Sequence, residues 1–398
     1  MKICNSGRHR RTSAVVGLIS LLLLTASCGN SVSAAASVKS SASAGGTTAA
    51  SGLVHAKAQV KKYSATPIVA PPPSLTEPES LAGKTIWYIP ITGAADSLAG
   101  MGADMEQALS HVGASVHVCD ARGLPTTVSS CMNTAAQQGA AAVVTSYIDY
   151  QMVPTSFQAL VAKKIPVLVG AASPPLGVTP SPYLRFLSSS AQTDLFSTLM
   201  ADLTIVRSGG KAHVIVIKLT DSEETLDASN KEIAEFRTYC PGCTVNAIST
   251  QTATFSKLQS TLSAALVAHP GTDYVTVPTD ALDLPLALGA VRSAGFSSKV
   301  KIVAADGGLA GLQDVAAGTV AYDPGSPVEW AGWQYANAAI RMLANLPIEA
   351  NSVGPTKIFD SVDVKQLALT QRNYLSTSWY GISKSAFQHI YLNAWKVK

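Results

Sequence analysis

The sequence predicts an α/β protein of two lobes, each a parallel sheet flanked by helices. Three observations carry this. Short Val- and Ile-rich runs alternate with amphipathic stretches, the alternation starts afresh near residue 212, and the body from about Leu81 to Lys398 is long enough for two cores.

The first unit reads as four strands, "KTIWYIPIT" (84–92), "ASVHVCDA" (114–121), "AAAVVTSYI" (140–148) and "IPVLVGAAS" (165–173). Helical stretches at 100–113, 127–139 and 153–164 separate them, and the first two close on Gly113 and Gly139, the residue type that most easily takes a left-handed cap. The segment "YLRFLSSSAQTDLFSTLMADLTIVRSGGK" then leads into a second unit. Its strands are "AHVIVIKLT" (212–220), "CTVNAIST" (243–250), "TDYVTVPT" (272–279), "KVKIVAADG" (299–307) and "GTVAYDPG" (318–325). His213 lies on an apolar strand and is expected to be a packed core residue. Open sheets of this kind bind ligands beyond the carboxyl ends of their strands, so the residues just after each strand carry the functional expectation.

The front of the chain is different in kind. Lys2, Arg8, Arg10 and Arg11 precede a short apolar run from Ala14 to Leu24, the pattern of an export signal and too short to span a bilayer. Its end, Leu24-Thr25-Ala26-Ser27-Cys28, resembles the lipobox of bacterial lipoproteins, which implies cleavage before Cys28 and lipid attachment to it; Thr25 departs from the usual aliphatic residue. Residues 28–80, rich in Ser, Ala, Gly, Thr and Pro, offer few large side chains to bury and read as a flexible tether. The expected location is therefore outside the cytoplasm, at the cell membrane.

Without residues 1–27 the chain carries 25 basic and 25 acidic side chains. The absence of a basic surplus argues against nucleic acid as a partner. Of the six cysteines, Cys4 leaves with the signal and Cys28 is the lipid site. The even remainder in an oxidising compartment predicts disulfides Cys119–Cys131 and Cys240–Cys243, with half a zinc site or a redox pair as the alternatives for "CPGC".

Catalytic signatures such as GxSxG, HExxH and GxxxxGK[ST] are missing, and "GMGADM" (100–105) has two of the three glycines of a dinucleotide fingerprint, inside a helix. No cofactor, no metal and no enzymatic activity are expected. Strand ends instead supply acceptors: Thr92 after the first strand, Tyr147 and Asp149 after the third, Asp221 after the first strand of the second unit, Thr279 and Asp280 after its third, Asp306 after its fourth. Such residues also cap the next helix, and either role fits any one of them. Together they favour a cleft for a hydroxyl- or donor-rich small molecule.

At this point "IVAADGG" (302–308), "GTVAYDPGSPVEWAGWQYANAAIRML" (318–343), "TKIFDSVDVKQ" (356–366) and "FQHIYLNAWKV" (387–397) make the chain resemble a type I periplasmic solute-binding protein of the ribose and galactose kind, the receptor of an ABC importer. The resemblance implies two Rossmann-like lobes joined by a three-crossing hinge, near 186–189, 321–324 and 357–361. The N-terminal lobe would then hold 84–186 plus 323–358, and the C-terminal lobe 187–322 plus 359–398. It places Asp306 and Asp149 at the crevice from opposite lobes, with Tyr147, Tyr322 and Trp330 as further contacts. The family's sugar binders usually carry an Arg after the first strand of the second lobe; here the residues are Thr220-Asp221-Ser222, which points to a ligand less densely hydroxylated than a free pentose or hexose.

The functional expectation is a monomeric, lipid-anchored receptor that closes on a small sugar, polyol or related solute and hands it to an ABC-type permease. A receptor signalling to a membrane sensor kinase is the second reading, and a secreted α/β hydrolase the third.

Overall fold

A computed structural model describes residues 48–77, 80–220 and 222–397. Cys28 and Asp221 lie outside the described residues. In the N-lobe, β1 (Thr85–Pro90), β2 (Ser115–Val118), β3 (Ala142–Ser146), β4 (Val167–Gly170) and β5 (Leu184–Leu187) form a wholly parallel sheet in the order β2-β1-β3-β4-β5. Its central strands are buried along their length because helices cover both faces, which is why they read as unbroken apolar runs. On one face α3 (Pro125–Gln137) and α4 (Pro154–Ala162) contribute Val128, Met132, Phe157 and Leu160.

The other face is built from distant sequence. There α2 (Asp96–Ser110) packs with α10 (Val328–Leu343) and the C-terminal α12 (Lys384–Ala394), whose neighbour Trp395 stacks on Trp333 at 5.5 Å. Helices α2 and α10 meet at Gly332, where an added Cβ would lie 2.6 Å from Cβ of Asp104.

The C-lobe sheet holds β6 (His213–Leu219), β7 (Thr244–Thr250), β8 (Tyr274–Val277), β9 (Lys301–Ala304), β10 (Val320–Gly325) and β11 (Lys357–Asp360). The order is β11-β10-β9-β8-β6-β7, parallel except for the antiparallel edge strand β11. Helices α5 (Ser190–Ser208) and α6 (Glu223–Tyr239) cover one face through Phe196, Leu199 and Phe236. The other is covered by α7 (Leu258–Ala268), α8 (Leu284–Ser293) and α9 (Leu309–Ala317). Ser222 and Thr225 cap α6 reciprocally, which fixes where its first turn starts.

Several expectations change. The chain passes from β5 of the N-lobe to α5 of the C-lobe at Ser188–Ser189, but β10 and β11 both belong to the C-lobe sheet, so the second and third crossings fall at about 326–327 and 344–356. The cause is pairing: β10 joins β9 at Val320 and Tyr322 and β11 from Tyr322 to Gly325, so residue 323 cannot start the N-lobe. Residues 361–383 then cross back, carrying Trp379 and Tyr380 in the C-lobe core and Leu375 against Gly100 of α2. The terminal helix thus belongs to the N-lobe, not to the C-lobe range 359–398.

Part of the stretch whose composition reads as a tether is structured. Residues Ala49–Tyr63 form α1, capped by Thr48 and docked on α5 and α6 with Ala56 fully buried. Beyond it the chain runs extended to the N-lobe, where Val69 and Leu75 join the core, Leu75 N–H donates to Ala394 O (2.8 Å), and Arg341 donates to Pro73 O (2.8 Å). Small and polar residues conceal this strap because a few anchors suffice to dock it.

Both predicted disulfides are formed, Cys119–Cys131 and Cys240–Cys243, with Cα separations of 5.9 and 5.3 Å. His213 is exposed rather than packed, since it opens β6 at the sheet margin, where its N–H donates to Asp273 Oδ1. Among the described residues no helix is long and apolar enough to cross a membrane.

Candidate functional site

On the C-lobe side, Asp306 lies in the turn from β9 into α9. Asp306 takes a positive φ of 109° and Gly307 one of 65°, and three backbone N–H groups in a row find fixed acceptors. Asp306 donates to Pro324 O (3.0 Å), Gly307 to Asp323 Oδ1 (2.9 Å), and Gly308 to Asp280 Oδ2 (2.6 Å). Glycine is required at 307 both for its φ and because a Cβ there would stand 2.7 Å from Cα of Gly325. The turn is thereby pinned while Asp306 itself is exposed.

Beneath it, Asp280 and Asp323 lie side by side under the first turn of α9, where a Cβ on Gly311 would meet a carboxylate oxygen of each. Burial raises the Asp280 carboxyl well above the ordinary range, and the neighbouring Asp323 raises it further. Burial pushes Asp323 up to about 7. Two buried carboxyls this close cannot both ionise cheaply, so the pair holds a shared proton and titrates as a unit. Asp306 is also raised, first by desolvation in the walled crevice and then by the charges of Asp323 and Asp283. Among the described residues no lysine or arginine pairs with Asp306, Asp280 or Asp323.

The N-lobe wall is made differently. Tyr147 follows β3 at φ 57°, its N–H donates to Gly170 O (3.1 Å), and its side chain is 54% exposed. Its hydroxyl is raised first by burial, then by Tyr335 and Asp306, so Tyr147 and Asp306 stand within electrostatic reach of each other. Tyr374, on the returning segment, sits among Ser97 and Asp96 of the N-lobe and Asp306 and Asp280 of the C-lobe, and desolvation foremost pushes its hydroxyl up to about 12. Near the hinge, Glu224 of α6 accepts from Ser173 (2.5 Å) and Ser188 (2.5 Å) through Oε1 and from Ser189 (3.1 Å) through Oε2. One C-lobe carboxylate thereby clasps an N-lobe loop.

The other sequence-predicted residues make local bonds and packing contacts. Thr92 Oγ1 accepts from Ala94 N–H (3.1 Å), Asp149 Oδ1 caps the short turn Tyr150–Met152 by accepting from Gln151 N–H (2.7 Å), and Thr279 Oγ1 donates to Asp283 Oδ2 (2.9 Å). Asp280 is 3% exposed and holds the loop from below. Tyr322 faces α5, with the Arg207 guanidinium over its ring, because alternation on β10 sends Tyr322 and Asp323 to opposite faces. Trp330 lies against Gly354 and the N-lobe core.

Sequence reasoning passed over Glu224, Ser173, Ser188, Tyr374 and Asp323. Glu224 was visible only as one of two acids in the first turn of α6, which the helix dipole explains without a second role. Asp323 carried the clearer signal, a carboxylate inside a strand buried by its neighbours.

No curated protein matches the chain. Solved structures do, with the same fold at low identity. A solute-binding protein of an ABC transporter from Agrobacterium vitis, bound with α-D-tagatopyranose, is 17% identical, with a TM-score of 0.61 and 72% of this chain and 97% of that one covered. A Mycobacterium smegmatis structure in complex with β-D-fucofuranose is 19% identical (TM-score 0.59, covering 75% and 98%). The 5-methylthioribose transporter solute-binding protein from Thermotoga lettingae is 15% identical (TM-score 0.60, covering 77% and 98%). The sequence itself matches the family described as "Periplasmic binding protein domain" over residues 88–347, from β1 to the loop beyond α10, and the chain belongs to that family.

Proposed function

We propose that the chain is an extracytoplasmic lipoprotein, anchored through Cys28, that binds a small hydroxyl-bearing solute between its lobes and delivers it to an ABC-type permease. The observation that carries this reading is Asp306, a carboxyl without a cationic partner on a pinned turn, within electrostatic reach of the exposed Tyr147. An acceptor opposite an aromatic face suits a ring that offers hydroxyl donors on one side and C–H surface on the other. The ligands named for the Agrobacterium, Mycobacterium and Thermotoga structures are of that class. With no arginine at the end of β6, a deoxy, aryl or cyclic polyol compound fits better than a fully hydroxylated hexose. The reading is one of binding and release, not turnover.

Thermal-shift measurement against a panel of sugars, deoxy- and thio-sugars, alditols and aryl glycosides tests it, since a ligand bound only by the folded state raises the melting temperature. A saturable rise with at least one such compound is expected; a flat response across the panel at millimolar concentration overturns the solute class. Anchoring is read separately, by metabolic labelling with a fatty acid that marks the wild type and not Cys28→Ala.

A further inference from the structure

Away from the crevice, α1 lies across α5 and α6, and its approach is close. A Cβ at Gly52 would lie 1.9 Å from Tyr239 O, so only glycine lets the helices touch there. One turn on, the His55 ring stacks flat on Tyr239, with centroids 3.7 Å apart and planes 3° from parallel. That fixes its Nε2 2.9 Å from Glu235 Oε1 and 4.0 Å from Asp202 Oδ1. The three ligand atoms lie within 4.8 Å of one another, and they come from three different helices.

A histidine–glutamate ion pair accounts for His55 and Glu235 but not for Asp202. That side chain is 1% exposed, and its Oδ1, turned toward His55, is buried without a hydrogen-bond partner. A buried carboxylate oxygen left unmatched is costly, and native interiors seldom keep one without a reason. A metal ion supplies one. Zinc binds imidazole nitrogen and carboxylate oxygen at about 2.0–2.2 Å, which sets tetrahedral ligand-to-ligand edges of roughly 3.3 Å. The separations of 2.9 and 4.0 Å straddle that edge, so small side-chain shifts close the site.

We propose that His55, Asp202 and Glu235 bind a divalent transition-metal ion of the zinc class, with water in the fourth position. Imidazole with two carboxylates suits such ions, whereas magnesium and calcium prefer all-oxygen shells. The ion staples α1 to the C-lobe and so secures one end of the strap that runs on to the N-lobe.

Isothermal titration of the chelator-treated protein with zinc chloride tests this. One equivalent is expected to bind with a dissociation constant below about 10 μM, weakened at least ~10-fold in both His55→Ala and Asp202→Asn. Limited proteolysis within 64–72 should be slowed by zinc in the wild type and unaffected by it in Glu235→Gln, a near-isosteric change that leaves the helices able to pack. Calcium and magnesium chloride at equal concentration should give neither effect. The absence of saturable zinc binding, or binding and protection unchanged in all three variants, overturns the site.

Discussion

The two walls of the crevice solve the same structural problem in opposite ways. At the N-lobe strand ends, carboxylates answer local backbone donors at the surface: Asp120 accepts from the N–H groups of Gly93 and Arg122, and Asp149 from Gln151. In the C-lobe the carboxylates are stacked in depth, with Asp280 beyond β8 and Asp323 within β10 both buried and holding the turn on which Asp306 stands. Equivalent positions in two similar α/β units thus do different work, and burial decides which. An exposed Asp can cap and be solvated at once; a buried pair must share a proton and give its remaining oxygens to backbone N–H groups. The consequence is a pinned turn carrying Asp306 on the C-lobe side, with the exposed Tyr147 of the N-lobe within its electrostatic reach.

If that contrast is functional, the largest effect should come from Asp306. Removing a carboxyl that a ligand donor depends on leaves that donor unmatched at a cost of about 1–3 kcal/mol, so Asp306→Ala should weaken solute binding ~10- to 100-fold by titration calorimetry. The same position also separates recognition from strain. An L-residue at φ 109° is strained by about 1–3 kcal/mol, which glycine avoids. Asp306→Gly should therefore lose binding like the alanine variant while melting higher than it does. Retained binding in both variants would place recognition elsewhere.

The buried carboxyls give the next effect, in pH. Besides Asp323, burial foremost raises Asp104 to about 7 and Glu232 and Asp202 to about 8. Each binds its proton more tightly in the folded protein than in the unfolded chain. Stability is then fullest below about pH 4, where both states are protonated, and falls as pH rises through about 7–8, by up to about 1.4 kcal/mol per pH unit for each group. For the metal-free protein, the melting temperature should be higher at pH 5 than at pH 8. Asp280→Asn, which keeps an oxygen for Gly308 N–H and offers an amide donor to Asp323, should flatten the slope without collapsing the turn. An undiminished slope in that variant would separate the acid pair from the pH dependence.

On the opposite wall the expected change is smaller. Stacking on an aromatic ring is worth about 0.5–1.5 kcal/mol beyond burial, so Tyr147→Ala should cost ~2- to 10-fold in affinity with little change in the unliganded melting point. A loss as large as that for Asp306→Ala would dissolve the contrast between the walls.

How much of this was legible follows from the range of the interactions. Periodicity announced both sheets because buried parallel strands must be apolar throughout, as in "AVVTS" and "VLVG". The two disulfides followed from spacing and compartment. Asp306 and Tyr147 were visible as strand-end residues, yet so were Thr92, Asp149 and Thr279, and no local feature separates a cap from a contact. Only the tertiary setting does: Asp280 and Asp323, 43 positions apart, meet under α9. The strap was concealed for a related reason, since Val69 and Leu75 are too sparse to form a period and Arg341 reaches Pro73 across most of the chain.

The smallest effect should come from Glu224, where the walls join. Its bonds to Ser173, Ser188 and Ser189 hold the lobes together near the hinge, at a partly exposed site where each such contact is worth about 1 kcal/mol or less. A clasp between rigid lobes acts on the balance of open and closed forms, and a ligand that binds the closed form feels only the change in its population. Glu224→Ala should therefore enlarge the radius of gyration of the unliganded protein in small-angle scattering and weaken binding no more than ~5-fold. The liganded radius should match the wild type, because the solute then supplies the bridge that the carboxylate no longer does. An unliganded radius identical to the wild type would mean that the strap at 64–75 and the returning segment at 361–383 hold the lobes without help from the clasp.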